Sequence, residues 1–302
     1  MRTLRTLSFS RSVWLAAALV AFGARPACAK RVVMNRAPQT LAASNMSALD
    51  TAASKGDAST VASLLAGGAD SNGKDNDGDT PLMFAAGNGF ADVVKLLLDH
   101  GAEVNAKDKK GWTPLMQGAD GGTPEVAKLL LDHGADLAAK NNDGLTALMY
   151  AASSGRYDVA ALLLDRGAAV DAKSDTGRTS LIYAAGQGHA NVVTLLIARG
   201  ADANSKESDG DTPLIWALKA DSVDSATLLL QHGADANARD KDGWTPLMFA
   251  ALYVGTPDVA KLLIDHRADV NAKNRKGESV LAIAANAGRD DMAALLRQHG
   301  AQ

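Results

Sequence analysis

The chain has 302 residues, 47% of them apolar, 22% charged and only 4% aromatic, with a formal net charge of −3. That composition excludes a collagen-like or largely disordered chain, and a single cysteine, Cys28, excludes a disulfide scaffold. With so few aromatic residues the core must be built mainly from Leu, Ala and Val, which suits short helices packed closely.

Residues 1–29 contain no acid and carry Arg2, Arg5 and Arg11 ahead of an apolar run from Val13 to Phe22. The run is about half the roughly 20 residues that a membrane-spanning helix needs. It leads into ARPACAK, where Ala27 and Ala29 make the small-x-small pattern of a signal peptidase site. The expectation is a cleaved secretory signal over 1–29 and an exported protein without a membrane span, periplasmic if bacterial and otherwise secreted. Lipidation of Cys28 is the alternative, weakened because Arg25 stands where a lipoprotein signal has an aliphatic residue. Loss of Arg2, Arg5, Arg11 and Arg25 leaves 27 of the 31 basic residues against 34 acidic ones, a net charge near −7. That balance argues against a phosphate-backbone binder, so nucleic acid is not an expected partner. Residues 30–46 read as a short flexible leader.

From residue 78 the chain repeats every 33 residues, with Gly78, Gly111, Gly144, Gly177, Gly210 and Gly243 in phase and Gly277 one residue late. A fixed period of this size means stacked supersecondary units. In the unit DGDTPLMFAAGNGFADVVKLLLDHGAEVNAKDKK, Thr80 is placed to cap a helix and Pro81 to occupy its first position, where a missing N–H costs nothing. Asn88 and Gly89 end that helix. A second runs from about Ala91 to His100, with Val93, Val94, Leu96, Leu97 and Leu98 apolar, and Gly101 supplies a left-handed cap. The polar NAKDKKG then turns to the next unit.

This period, with Thr-Pro-Leu opening the first helix and Leu-Leu-x-x-Gly-Ala closing the second, resembles the ankyrin repeat. TPL stands at 80, 113, 212 and 245, and is softened to TAL at 146, TSL at 179 and SVL at 279. The resemblance implies an all-α fold, an ankyrin-repeat solenoid of stacked helix-turn-helix units joined by long β-hairpin-like turns. A degenerate unit precedes the first clear one, since Leu49 falls in the Leu82 column and AGGAD at 66–70 in that of DHGAE. Eight repeats result: 47–77, 78–110, 111–143, 144–176, 177–209, 210–242, 243–276 and 277–302. Ser63 is the polar member of the Leu96 column and Arg297 that of the Leu98 column. These columns face opposite neighbours, so the first and last units read as caps of a monomeric array.

No nucleophile elbow, His-Glu-x-x-His or phosphate-binding glycine loop is present, and neither enzymatic activity nor a cofactor is expected. His100, His133, His232, His266 and His299 share one column, but repeats about 10 Å apart cannot bring them to one metal ion. They read as cations beside helix C-terminal carbonyls. Met83, Met116, Met149 and Met248 share a column with Ile182 and Ile215 and read as core rather than as a copper site. The basic column Lys74, Lys107, Lys140, Lys173, Lys206, Arg239 and Lys273 lies beside acids and reads as solvated, mixed-sign turns.

Function is expected as protein binding. The resemblance implies a partner on the concave side, formed by turn tips and first helices, with the residue after each turn glycine pointing there. That column is Asp79, Trp112, Leu145, Arg178, Asp211, Trp244 and Glu278, whose chemistry varies while the frame around it does not. A second column runs Phe84, Gln117, Tyr150, Tyr183, Trp216, Phe249 and Ile283. Packing between first helices is its simpler reading, with Tyr150, Tyr183 and Trp216 able to offer polar edges to the groove. Repeats four apart are more alike than neighbours, which points to a duplicated block and offers Trp112 and Trp244 as two contact spots about 40 Å apart. Other readings are a secreted host-directed or stress-protective factor acting on a redox enzyme, and a hydrolase improvised on the groove.

Arg267 replaces the glycine that caps the other second helices, and the same repeat carries an extra residue in LYVGTPD. The segment 252–277 is therefore expected to open before the centre of the stack. Hydrogen exchange should show it among the faster-exchanging repeat segments; finding it the best protected would refute this.

Overall fold

The computed structural model describes residues 46–254 and 256–302. The expected signal at 1–29 lies outside the described residues, as does the leader at 30–46 apart from Met46. The described residues form sixteen helices in eight antiparallel-paired units. The first helices are α1 (Ala48–Lys55), α3 (Pro81–Asn88), α5 (Pro114–Asp120), α7 (Ala147–Ser153), α9 (Ser180–Gln187), α11 (Pro213–Lys219), α13 (Pro246–Tyr253) and α15 (Val280–Asn286). The second helices are α2 (Ala58–Ala66), α4 (Ala91–Asp99), α6 (Pro124–Asp132), α8 (Tyr157–Asp165), α10 (Ala190–Ala198), α12 (Val223–Gln231), α14 (Pro257–Asp265) and α16 (Asp290–Gln298).

The repeated Thr starts these helices by local chemistry. Thr80 is extended, and its hydroxyl accepts the Met83 amide at 3.3 Å, which satisfies one of the amides left over at a helix start. Thr113, Thr146, Thr179 and Thr212 repeat the bond to Met116, Met149, Ile182 and Ile215. The residues whose amides donate are those of the methionine and isoleucine column, and every member of it is buried in the core. At the other end of each unit, the five column histidines donate from Nδ1 to the carbonyl four residues back, at 2.8–2.9 Å. The histidine therefore ends the second helix as a hydrogen-bonding cap. Gly101, next in line, has φ 82° with nothing within 4 Å of a Cβ placed there, so its role is conformational alone. Arg267 takes the same left-handed conformation at φ 64°, at a cost of about 1 kcal/mol.

First helices pack against first helices and second against second, and the first-helix row packs more closely. Closer spacing of the first helices sets the first-helix side, with the turns, as the inner side of the stack.

Between repeats the register is held by side chains that reach backbone 29 to 34 residues away. Asn72 Nδ2 donates to the Gly101 carbonyl at 3.0 Å while its Oδ1 accepts the Glu103 amide at 2.7 Å. Asn105, Asn204, Asn237 and Asn271 repeat this two-bond rung. Ala138 leaves the rung empty, and Asp171 makes only its accepting half, to the Asp202 amide at 3.1 Å. The basic column forms a parallel ladder. Lys74, Lys107, Lys140, Lys173 and Lys206 each donate to the carbonyl of the next member, at 2.8–3.3 Å, and Arg239 does the same to Lys273. The expectation of merely solvated turns is corrected: each cation completes a turn carbonyl that would otherwise lack a protein partner.

Filling the empty rung tests directly what these bonds contribute. Ala138→Asn should donate to the Gly167 carbonyl and accept the Ala169 amide, raising stability to urea by about 1 kcal/mol. Asn204→Ala should lower it by a similar or larger amount. Equal midpoints for wild type and both variants would show that the rungs add nothing to stability.

Candidate groove site

Each turn fixes the residue after its glycine by a backbone bond, its carbonyl accepting the amide four residues back. Five of the seven turns, those with Asp75, Asp108, Asn141, Asp240 and Asn274, add an Asx-type clamp. Asp108 Oδ1 accepts the amides of Lys110 at 2.8 Å and Trp112 at 2.7 Å, and Asp240 Oδ1 does the same for Asp242 and Trp244. The backbone of this column is therefore fixed, and only the side chain differs from repeat to repeat.

What those side chains do is not uniform. Trp112 is 8% exposed and lies against Tyr150 of the next repeat, ring centroids 4.0 Å apart. Tyr150 is 2% exposed, its hydroxyl accepts from Asn141 Nδ2 at 3.0 Å, and burial pushes that hydroxyl well above its ordinary pKa. Leu145, Asp79 and Tyr183 are buried too. The expectation that the column after the turn glycine stands open to a partner is corrected at Asp79, Trp112 and Leu145, while Tyr150 and Tyr183 follow the packing reading of theirs and do not offer open edges to the groove. A large side chain that leaves a pinned turn folds over the first helix of the neighbouring unit, where burying about 200 Å² of ring outweighs exposure. The two tryptophans are not equivalent either, since Trp244 is only half-buried, against Phe249 at 5.2 Å.

The accessible groove is instead built by the repeats from Gly177 to Tyr253. Arg178 lies over the Trp216 ring, its Cζ 4.3 Å from the centroid. Lys219 Nζ stands 5.5 Å from the Trp216 ring and 4.6 Å from the Phe249 ring, and Phe249 stacks on Tyr253 at 6.2 Å. Cation and ring thus alternate along the stack. Beneath them lie the counter-ions. Glu207 Oε2 is 3.7 Å from Arg178 Nε with its side chain 3% exposed, and Asp211 Oδ2 accepts from Lys219 with its side chain 5% exposed. Burial pushes the Asp211 carboxyl up, and the Lys219 ammonium draws it back down. Asp211, expected as a contact residue, is thus a buried support for Lys219.

Lys219, Leu252 and Tyr253 were not among the expected site residues. One column at the C-terminal end of the first helices reads Gly87, Asp120, Ser153, Gly186, Lys219 and Leu252, and it varies as sharply as the one after the glycine. The same signal was present there. Among the described residues no group of three or more His, Cys, Asp or Glu could hold a metal ion, and no helix is long and apolar enough to cross a membrane.

Trp112→Ala should destabilise the fold by about 3 kcal/mol, as for a buried aromatic, and Trp244→Ala by about 1 kcal/mol. Urea titrations of the two purified variants check this, and equal losses would contradict the difference in burial. Compared with known proteins, the chain matches the model for ankyrin repeats (3 copies) over residues 15–108, 49–141, 103–174, 167–240 and 232–302. No curated protein matches it significantly.

Proposed function

The chain belongs to the ankyrin-repeat family, and from that premise we propose that it is an exported scaffold that holds a protein partner in the groove lined by Arg178, Trp216, Lys219 and Trp244. Ankyrin repeats generally mediate protein–protein interaction and are typically non-enzymatic scaffolds. The observation that carries the choice of surface is the cation–aromatic row from Arg178 to Tyr253, in which half-buried Trp216, Trp244 and Tyr253 stand around the buried Phe249 ring beside two cations. Aromatic and arginine side chains are the usual anchors of interfaces, and a rigid stack presents them with little ordering cost. Export is supported by the Arg-rich start, the apolar run and Ala27-x-Ala29. The partner is then sought in the periplasm or outside the cell. One scaffold carries many specificities, so the reading rests on this surface and not on the fold alone.

Affinity capture from a periplasmic or secreted extract tests it. A specific protein should be retained by wild type and by Lys128→Ala on the outer helix α6, and lost with Trp216→Ala or Trp244→Ala, each checked for folding by its thermal melt. A partner retained by both tryptophan variants and lost with Lys128→Ala would move the interface to the outer helices.

A further inference from the structure

The unit of α7 and α8 is tied to its neighbours differently from the others. On its turn side the asparagine rung is empty toward the preceding unit, at Ala138, and half-made toward the following one, at Asp171. At those same two boundaries the column of capping histidines is interrupted by Arg166 and Arg199. Arg166 Nη1 donates to Asp132 Oδ1 of the preceding unit at 3.0 Å, and Arg199 Nη1 lies 2.8 Å from Asp165 Oδ1 across the next boundary. Among the described residues no other ion pair joins the end of one second helix to the next. Two columns therefore change together: where the amide rung is incomplete, an ion pair crosses the same boundary at the same end of the unit.

The two kinds of tie respond differently to solvent. A rung is a pair of hydrogen bonds between neutral groups, which dissolved ions do not screen. The four side chains of the ion pairs are between 34% and 62% exposed, so the pairs hold weakly and salt weakens them further. Asp132 is also shared with Lys128 of its own helix, at 2.8 Å. What else crosses on the turn side is the lysine ladder and one bond between turn tips at each boundary, from the Asp175 amide to the Asp143 carbonyl and from the Ser208 amide to that of Thr176. The opposite end of the unit, where the first helices finish, is pinned. There the Ser154 hydroxyl donates to the Asp120 carboxylate, Arg156 Nε donates to the Asp120 carbonyl at 3.0 Å, and His189 Nε2 lies 2.9 Å from the Ser153 carbonyl. One end held and the other lightly tied is the geometry of a hinge.

We infer that the α7–α8 unit is a joint in the stack whose stiffness is set by ionic strength. As salt screens Arg166–Asp132 and Arg199–Asp165, the turns on either side part, and the units before and after swing about the pinned ends of the first helices. The joint sets the angle between the row that starts at Arg178 and the units that precede it, and it holds whatever occupies the groove. The weakness expected at 252–277 is of another kind, since the rungs of Asn237 and Asn271 on either side of that repeat are complete.

Hydrogen exchange of the full-length protein in about 0.01 M and about 1 M sodium chloride tests this, because the screening length falls from about 30 Å to about 3 Å over that range. Segments 167–175 and 200–208 hold the amides of Asp175, Asp202 and Ser208, which bond to the preceding turn. They should exchange about two- to fivefold faster at high salt, the effect of losing one exposed ion pair. Segments 101–109 and 233–241, at boundaries with complete rungs, should not change with salt. Filling the rungs with Ala138→Asn and Asp171→Asn together should abolish the salt response. Arg166→His with Arg199→His, which extends the histidine column and removes both pairs, should show the faster exchange already at low salt. An equal salt response in all four segments, a response that survives in the rung-filled variant, or one that survives in the histidine variant would each overturn the inference.

Discussion

The structure depends on the register between successive turns. A helix pair of this size cannot bury both its faces alone, so each unit is stable only when its neighbour is held at one height and one rotation. Leu and Ala surfaces attract without specifying that height. The asparagine rungs and the lysine ladder do, because a side chain from one turn must meet a backbone carbonyl of the next at hydrogen-bond distance. Two consequences meet in the same bonds: the turn carbonyls gain partners, and the repeats cannot slide. Ala138 and Asp171 mark the two adjacent places where this control is relaxed, near the middle of the array.

Fixed register turns one sequence slot into two kinds of site. The residue after the turn glycine always leaves the backbone in the same direction, so its neighbour across the repeat boundary decides its fate. Trp112 finds Tyr150 at 4.0 Å and is absorbed into the frame. Arg178 finds the Trp216 ring, and Lys219 then separates that ring from Phe249, so the row stays partly open. Sharp variation in a column therefore marks freedom from the repeat consensus and does not by itself mark exposure. The quasi-duplication that pairs KKGWTPLM with KDGWTPLM preserves the turn clamp but not the environment of the ring.

Much of the fold was legible because its signals are local. Thr80 and Pro81 start a helix, Gly101 ends a unit, and the 33-residue phase repeats both without needing distant information. Ser63 and Arg297 stand exposed at the two ends of the second-helix row. The ladders were not legible in the same way, since a column of lysines looks alike whether solvated or bonded to the turn 33 residues on. The site was half legible. Arg178, Trp216 and Trp244 were identifiable from their columns, whereas the burial of Trp112, Leu145 and Asp211 depends on which side chain the adjacent repeat offers. Lys219 was overlooked because it sits at the end of a first helix, although its column varies just as widely.

If contact is confined to the open row between Arg178 and Tyr253, Trp112 and its surroundings serve only as frame. Differential hydrogen exchange of the protein with and without its captured partner measures this directly. New protection is expected in the turns and first helices between 177 and 253, with the turn at 108–113 and the outer helices unchanged. Protection centred on Trp112 and Tyr150, or on the outer helices, would contradict it.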